Sequence, residues 1–211
     1  MDIRFTVDSA PVLGPALVLF AVGSAVQVWR DAWNVRRALL QLAAAVYVAA
    51  VLSLTIFPLD VTWGEYANQA PWISQINFIP LLTADVTIVP NVIMMVPFGF
   101  LLPLMSRRAT SPSRAALMTA AASLAIEAAQ LLSYIVLNNG RSVDVNDLLA
   151  NTLGGLAGYA LVTLALRAPA VRGPLLAAAL PRSAALQDDR RRTAAAEGPR
   201  PAPVADPVIR P

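Results

Sequence analysis

The sequence predicts an all-α fold: a polytopic membrane helix bundle of about five transmembrane helices. Of 211 residues, 57% are hydrophobic and only 14% are charged, a balance typical of membrane proteins. Apolar stretches of about 20 residues recur along the chain, which is the length that a helix needs to cross a hydrocarbon core about 30 Å thick. Polar loops that differ in the sign of their charge separate these stretches.

The five predicted spans follow one another with short connections, apart from one longer loop between the second and the third. They are 11–28, 38–57, 88–105, 115–137 and 147–167. A secretory signal begins with a positively charged region, whereas the first ten residues carry Asp2, Arg4 and Asp8. The first span is therefore expected to be an uncleaved membrane helix.

Composition divides the chain into three parts. Residues 1–37 hold the first helix and a basic loop, and residues 38–167 form a four-helix membrane domain. Residues 168–211 are rich in Pro, Ala and Arg and show no sustained helical period, so they are predicted to be a disordered tail.

The charges of the loops predict the orientation in the membrane. The loops at 29–37 and 106–114 are rich in Arg, whereas the loop at 58–87 carries acids and no basic residue. Because Arg-rich loops stay in the cytoplasm, we expect the N-terminus outside and the C-terminus in the cytoplasm. The expected location is the inner (plasma) membrane, crossed several times.

The absence of Cys, His and Lys limits the chemistry that is available. Disulfides, thiol and imidazole catalysis, Lys Schiff bases and most transition-metal sites are excluded. No cofactor and no metal centre is expected. The arginines are not interleaved with aromatic residues, so the sequence does not indicate a nucleic-acid partner.

A polar stripe interrupts the fourth span. Ser123, Glu127, Gln130 and Tyr134 are spaced four, three and four residues apart, which places them near one face of a helix. A charged carboxylate near the middle of a span is unfavourable by a few kcal/mol. Glu127 is therefore expected to be protonated, to be paired or to face a wet cavity. It serves either as a binding or proton-handling group or as a hydrogen-bonding group that holds the bundle together.

A second polar run opens the fifth span. Asp144, Asp147 and Asn151 share one helix face, and Arg141 precedes them. Two structural alternatives remain open, since Asp144 can cap the helix and Arg141 can form a surface ion pair with it. Further along the same helix, Ala150, Gly154 and Gly158 form a row of small residues that indicates close helix packing.

Asn77 and Asn91 complete the candidate set, although each could also be a local cap or turn residue. The predicted orientation places these polar groups on the extracytoplasmic side of the membrane. No catalytic residue is assigned. The candidate binding residues are Asn77, Asn91, Glu127, Gln130, Arg141, Asp144, Asp147 and Asn151.

These residues resemble the VanZ-like family of bacterial membrane proteins, over roughly residues 40–165. The resemblance implies an association with the cell envelope and with antibiotic resistance, because the founding member is associated with resistance to the glycopeptide teicoplanin. It implies no particular reaction. The motifs that carry it are Asn77-Phe78-Ile79-Pro80, Asn91, Pro97-Phe98-Gly99-Phe100-Leu101-Leu102-Pro103, Glu127 with Gln130, Arg141, Asp144, Asp147, Asn151, Gly154-Gly155 and Gly158.

Three functions remain open, and the first is favoured. The first is binding of an anionic or amide-rich envelope component, such as a lipid-linked peptidoglycan precursor, with Arg141 as charge partner. The second is an enzyme acting on such a precursor, with Glu127 and Asp144 as general acid and base and a cation held by Asp144 and Asp147. The third is a proton-coupled transporter that uses Glu127 as a relay. The lack of a visible nucleophile weakens the second, and the lack of an inverted repeat weakens the third.

Overall fold

A computed structural model describes residues 2–30, 34–67, 70–78, 88–140 and 142–197 of the chain. Five helices in this part are long and apolar enough to cross a membrane, which confirms the predicted all-α bundle. Their ends lie within about three residues of the predicted ones. They are α1 (Ser9–Trp29), α2 (Val35–Thr55), α3 (Ile88–Met105), α4 (Pro112–Leu137) and α5 (Val145–Ala165).

The centre of the bundle is the pair α3 and α5, whose backbones approach each other at glycines. A Cβ atom added at Gly99 would lie 1.9 Å from the carbonyl oxygen of Gly155, and one at Gly158 would lie 1.9 Å from that of Val96. Since no Cβ atom tolerates such a distance, only glycine fits at either position. The close packing predicted from the row of small residues is confirmed.

The outer helices present apolar side chains to their surroundings. Leu19 on α1 is 73% exposed, and Leu54 on α2 is 72% exposed. Exposure of large apolar side chains on this scale is unfavourable in water, and it is what a helix surrounded by lipid requires. The helices therefore form a multi-pass membrane protein.

Two short strand pairs lie at one end of the bundle, called here the strand end. Strand β1 (Ile3–Val7) pairs antiparallel with β2 (Leu59–Trp63). Strand β3 (Ile76–Asn77) pairs parallel with β4 (Val143–Asp144). Neither pair is predicted from the sequence, because each strand is short and its partner is distant in the chain.

Two further helices cover the opposite end, called here the tail end. They are α6 (Pro169–Ala178) and α7 (Ala184–Glu197). The prediction of a disordered tail from residue 168 is wrong for both helices. Residues 198–211, which belong to the same predicted tail, lie outside the described residues.

Burial of small apolar segments explains why α6 and α7 fold. Ala179 and Ala185 pack with Leu104 and Val162 in one hydrophobic cluster. The N–H group of Leu180 also donates to the carbonyl oxygen of Leu104 at 2.9 Å. The hydrogen bond satisfies a carbonyl oxygen near the end of α3, and the apolar contacts attach the tail to the bundle. Because these contacts are tertiary, the hydrophobic period of the sequence does not reveal them.

The glycine contact yields a test of the packing. Gly158→Ala should lower the free energy of unfolding by about 1–3 kcal/mol, the usual range for overpacking, because the new methyl group meets the Val96 carbonyl. Gly14→Ala in α1 is the matched control, since a Cβ atom there meets nothing within 4 Å. Its stability should equal or exceed that of the unmodified protein, because Ala favours helix more than Gly.

Thermal unfolding of the full-length protein in detergent measures both effects. We expect a lower Tm for Gly158→Ala alone. An unchanged Tm for that variant would contradict the close approach of α3 and α5.

Candidate functional site

A group of polar side chains meets at the strand end, where α3, α4, α5 and the β3–β4 pair come together. Each side chain comes from a different element, and apart from Asp144 and Asp147 the residues that bear them are remote in sequence. We call this group the polar cluster. Its members are Asn77, Asn91, Glu127, Asp144 and Asp147.

Glu127 faces the interior of the protein, since only 5% of its surface is exposed. Its Oε2 atom accepts a hydrogen bond from the backbone N–H group of Asp144 at 3.3 Å. This contact joins the middle of α4 to the start of α5. Glu127 is therefore hydrogen-bonded and shielded from lipid.

The register of the short parallel strands sets the position of Asp144. Asn77 lies opposite Asp144 in the β3–β4 pair, and its Nδ2 atom donates to Asp144 Oδ2 at 3.0 Å. The other carboxylate oxygen, Oδ1, accepts from the N–H group of Asn146 at 2.7 Å. Asp144 is thus the N-cap of α5, so the capping alternative is confirmed, and its second oxygen belongs to the cluster.

Asp147 occupies the first turn of α5, where negative charge suits the helix dipole. Its Oδ1 atom accepts a hydrogen bond from Asn91 Nδ2 at 2.5 Å, which links α5 to α3. Glu127 lies within electrostatic range of both Asp144 and Asp147. Three carboxyl groups therefore share one site, and each accepts at least one hydrogen bond.

A second polar contact lies one helical turn deeper. Asn151 Nδ2 donates to Ser123 Oγ at 2.9 Å, and both residues are almost completely buried. The Oδ1 atom of Asn151 is buried without a hydrogen-bond partner among the described residues. Polarity thus continues from the cluster into the bundle between α4 and α5.

One candidate from the sequence does not join the cluster, and another is not among the described residues. Gln130 turns toward α2, where its Nε2 atom donates to the carbonyl oxygen of Thr55 at 2.9 Å. Arg141 lies outside the described residues. Two residues that the candidate set omits contribute instead, namely Ser123 and Asn146; Ser123 was already visible in the polar stripe.

The cluster has the chemistry of a hydrogen-bond acceptor. Its described side chains are carboxylates and amides, with no basic group among them. No group of three or more His, Cys, Asp or Glu side chains in the described ranges is arranged to hold a metal ion. These oxygens can accept hydrogen bonds from a ligand that offers N–H or O–H groups.

Comparison with known proteins adds one finding. The family model described as VanZ/LLP1 matches residues 44–166, which is more than half of the chain and includes the whole polar cluster. No curated protein and no solved structure shows significant similarity to this chain.

Asp144 provides a test that separates its capping from its charge. Asp144→Ala should lower the free energy of unfolding by about 1 kcal/mol, the typical value for a lost N-cap. Asp144→Asn should lower it less, because an amide oxygen can still accept from the Asn146 N–H group, and Asn77 can rotate to present its own oxygen.

Asp8→Ala is the matched control for this comparison, since Asp8 is the N-cap of α1 and its side chain makes no capping hydrogen bond. Its Tm should stay close to that of the unmodified protein. Equal losses of Tm for Asp144→Ala and Asp144→Asn would count against the capping role.

Proposed function

The chain belongs to the VanZ/LLP1 family, and on that premise we propose that it is a bacterial inner-membrane protein that binds an envelope component. Binding of this component would modulate susceptibility to glycopeptide antibiotics. The observation that carries the proposal is the polar cluster, and above all the buried carboxyl group of Glu127 beside Asp144 and Asp147.

Glu127 has acceptor capacity to offer to a ligand. An ionised carboxylate can accept about four hydrogen bonds, and within the described part of the chain Glu127 accepts one, through Oε2. Its Oε1 atom could therefore receive a donor from a ligand that enters between the ends of α4 and α5. A buried acceptor that discriminates by hydrogen bonding favours ligands with matching donors.

The class of ligand follows from the acceptor groups of the site. The described cluster presents carboxylate oxygens, and such oxygens accept hydrogen bonds from the amide N–H, hydroxyl or ammonium groups of a ligand. A lipid-linked peptidoglycan precursor carries such donors on its peptide and sugars. Of the two ligand types considered from the sequence, the amide-rich one is preferred.

The orientation supports access from outside the cell. At the tail end the loop between α3 and α4 carries Arg107 and Arg108, whereas the described part of the strand-end loop carries Asp60 and Glu65. The preference of arginine for the cytoplasmic side would place the strand end outward. The polar cluster would then face the compartment in which peptidoglycan is assembled and glycopeptides act.

The test uses cells that express the full-length chain and are challenged with teicoplanin. Glu127→Gln should abolish any protection that the unmodified protein confers, because the amide loses the charge and one acceptor atom. Growth inhibition relative to empty-vector cells is the measurement.

Glu65→Gln is the matched control, since Glu65 is an exposed carboxylate at the same end of the bundle. It should retain full protection. The amount and the Tm of each variant in the membrane fraction distinguish binding from folding, because loss of folded Glu127→Gln protein would favour a purely structural role.

Purified protein incubated with a lipid-linked precursor gives the second readout. Saturable binding that Glu127→Gln removes, without chemical change of the precursor, is the expected result. Formation of a product, with or without Mg²⁺, would replace the binding role by the enzymatic alternative.

A further inference from the structure

A second polar site lies at the tail end, opposite the polar cluster. It is a cavity of about 240 Å³ between the ends of α3 and α5 and the two tail helices. We call it the arginine cavity. The charged and polar groups that matter most in its lining are Tyr159, Arg167, Arg172, Asp188, Arg191 and Arg192.

The spacing of residues on α7 builds one wall of the arginine cavity. Asp188, Arg191 and Arg192 are three and four residues apart, so one helix face presents all three. Leu166 and Leu176 contribute apolar lining and also pack against the cluster around Leu104 and Val162. A charged rim on an apolar base is the arrangement that a small amphiphilic group would fill.

The charges of the cavity do not balance. Arg172 forms an ion pair with Asp189, and Arg192 forms one with Asp188 at 2.8 Å. Arg167 and Arg191, which also line the cavity, have no ion-pair partner in the part of the chain that the structure describes. Four guanidinium groups therefore face two carboxylates, and the surplus is positive.

We propose that the arginine cavity binds the phosphate group of an anionic lipid headgroup. The planar guanidinium group donates two parallel hydrogen bonds to phosphate oxygens, and four such groups line the cavity. The volume is below the roughly 300–1,000 Å³ of pockets for drug-sized ligands, so a compact headgroup fits better than a nucleotide.

The depth of the site in the bundle selects a lipid as the source of the phosphate. The apolar helix α5 ends at Ala165, and Arg167 follows two residues later. The cavity thus lies at the level where the hydrocarbon core gives way to headgroups. Basic pockets at this level on the cytoplasmic side are the ones that receive anionic lipid headgroups.

The experiment uses the full-length protein in phosphatidylcholine nanodiscs that contain increasing fractions of phosphatidylglycerol. A ligand that binds the folded state raises the Tm in a saturable manner. The double variant Arg167→Gln/Arg191→Gln should raise the phosphatidylglycerol fraction at half-saturation about tenfold or more. The reason is that each basic residue near a membrane surface contributes about fivefold to the affinity for anionic lipid. Both side chains are exposed, so the fold should survive.

Arg36→Gln/Arg108→Gln is the matched control. It removes the same charge from exposed arginines at the tail end that do not line the cavity, and its half-saturating fraction should stay within about twofold of the unmodified value. Equal weakening by the two double variants would overturn the site in favour of diffuse attraction. A Tm that does not respond to phosphatidylglycerol would overturn it as well.

Asp188→Asn changes the affinity in the opposite direction. It frees Arg192 from its ion pair, so the half-saturating fraction should fall about threefold to fivefold, the value of one added cationic contact. A misfolded variant does not bind more tightly, so this gain supports the site independently, and an unchanged value would count against it.

Soluble glycerol 1-phosphate distinguishes the two sources of phosphate. It should raise the Tm only at concentrations far above those at which phosphatidylglycerol acts, because the apolar lining favours acyl chains. Saturation at low concentration, with the same dependence on Arg167 and Arg191, would overturn the assignment to a lipid and identify a soluble phosphate compound instead.

Discussion

The contact between α3 and α5 is the constraint on which the rest of the structure depends. In a bilayer the surrounding lipid is as apolar as the helices, so helix association relies on van der Waals packing and interhelical hydrogen bonds. Gly99 and Gly158 allow the two backbones to meet. That approach brings Asn91 within hydrogen-bonding distance of Asp147, so the packing at the glycines positions one side of the polar cluster.

The other side of the cluster depends on the backbone at the strand end. Strand β4 presents the N–H group of Asp144 to Glu127, and its partner β3 presents Asn77 to the Asp144 carboxylate. Glu127 and Asp144 each receive a donor in this way, which lowers the free-energy cost of placing carboxylates in an apolar bundle. Structure and function share these residues, since Asp144 caps α5 with one oxygen and belongs to the site with the other.

The sequence predicts what the bilayer itself imposes. Span lengths follow from the thickness of the hydrocarbon core, and Glu127 is conspicuous because charge is rare there. Gln130 lies three residues further on, about 60° around the helix, which is enough to turn it to α2. Local patterns do not reveal β1 and β2, because Ile3 pairs with Trp63 and two complete spans lie between them in the chain. Helix α7 likewise depends on tertiary burial of Ala185.

Helix α5 connects the two sites. Asp147 of the polar cluster lies in its first turn, Tyr159 of the arginine cavity lies in its last two turns, and Arg167 follows the end of the helix. Transmission between sites requires an element with two discrete arrangements that both ligands bias. The contact of Gly158 with the Val96 carbonyl fixes α5 against α3, and any shift along the helix would drive side chains into that backbone. A phosphate group in the arginine cavity is therefore expected to stabilise the folded bundle through its binding free energy, while the polar cluster keeps its geometry.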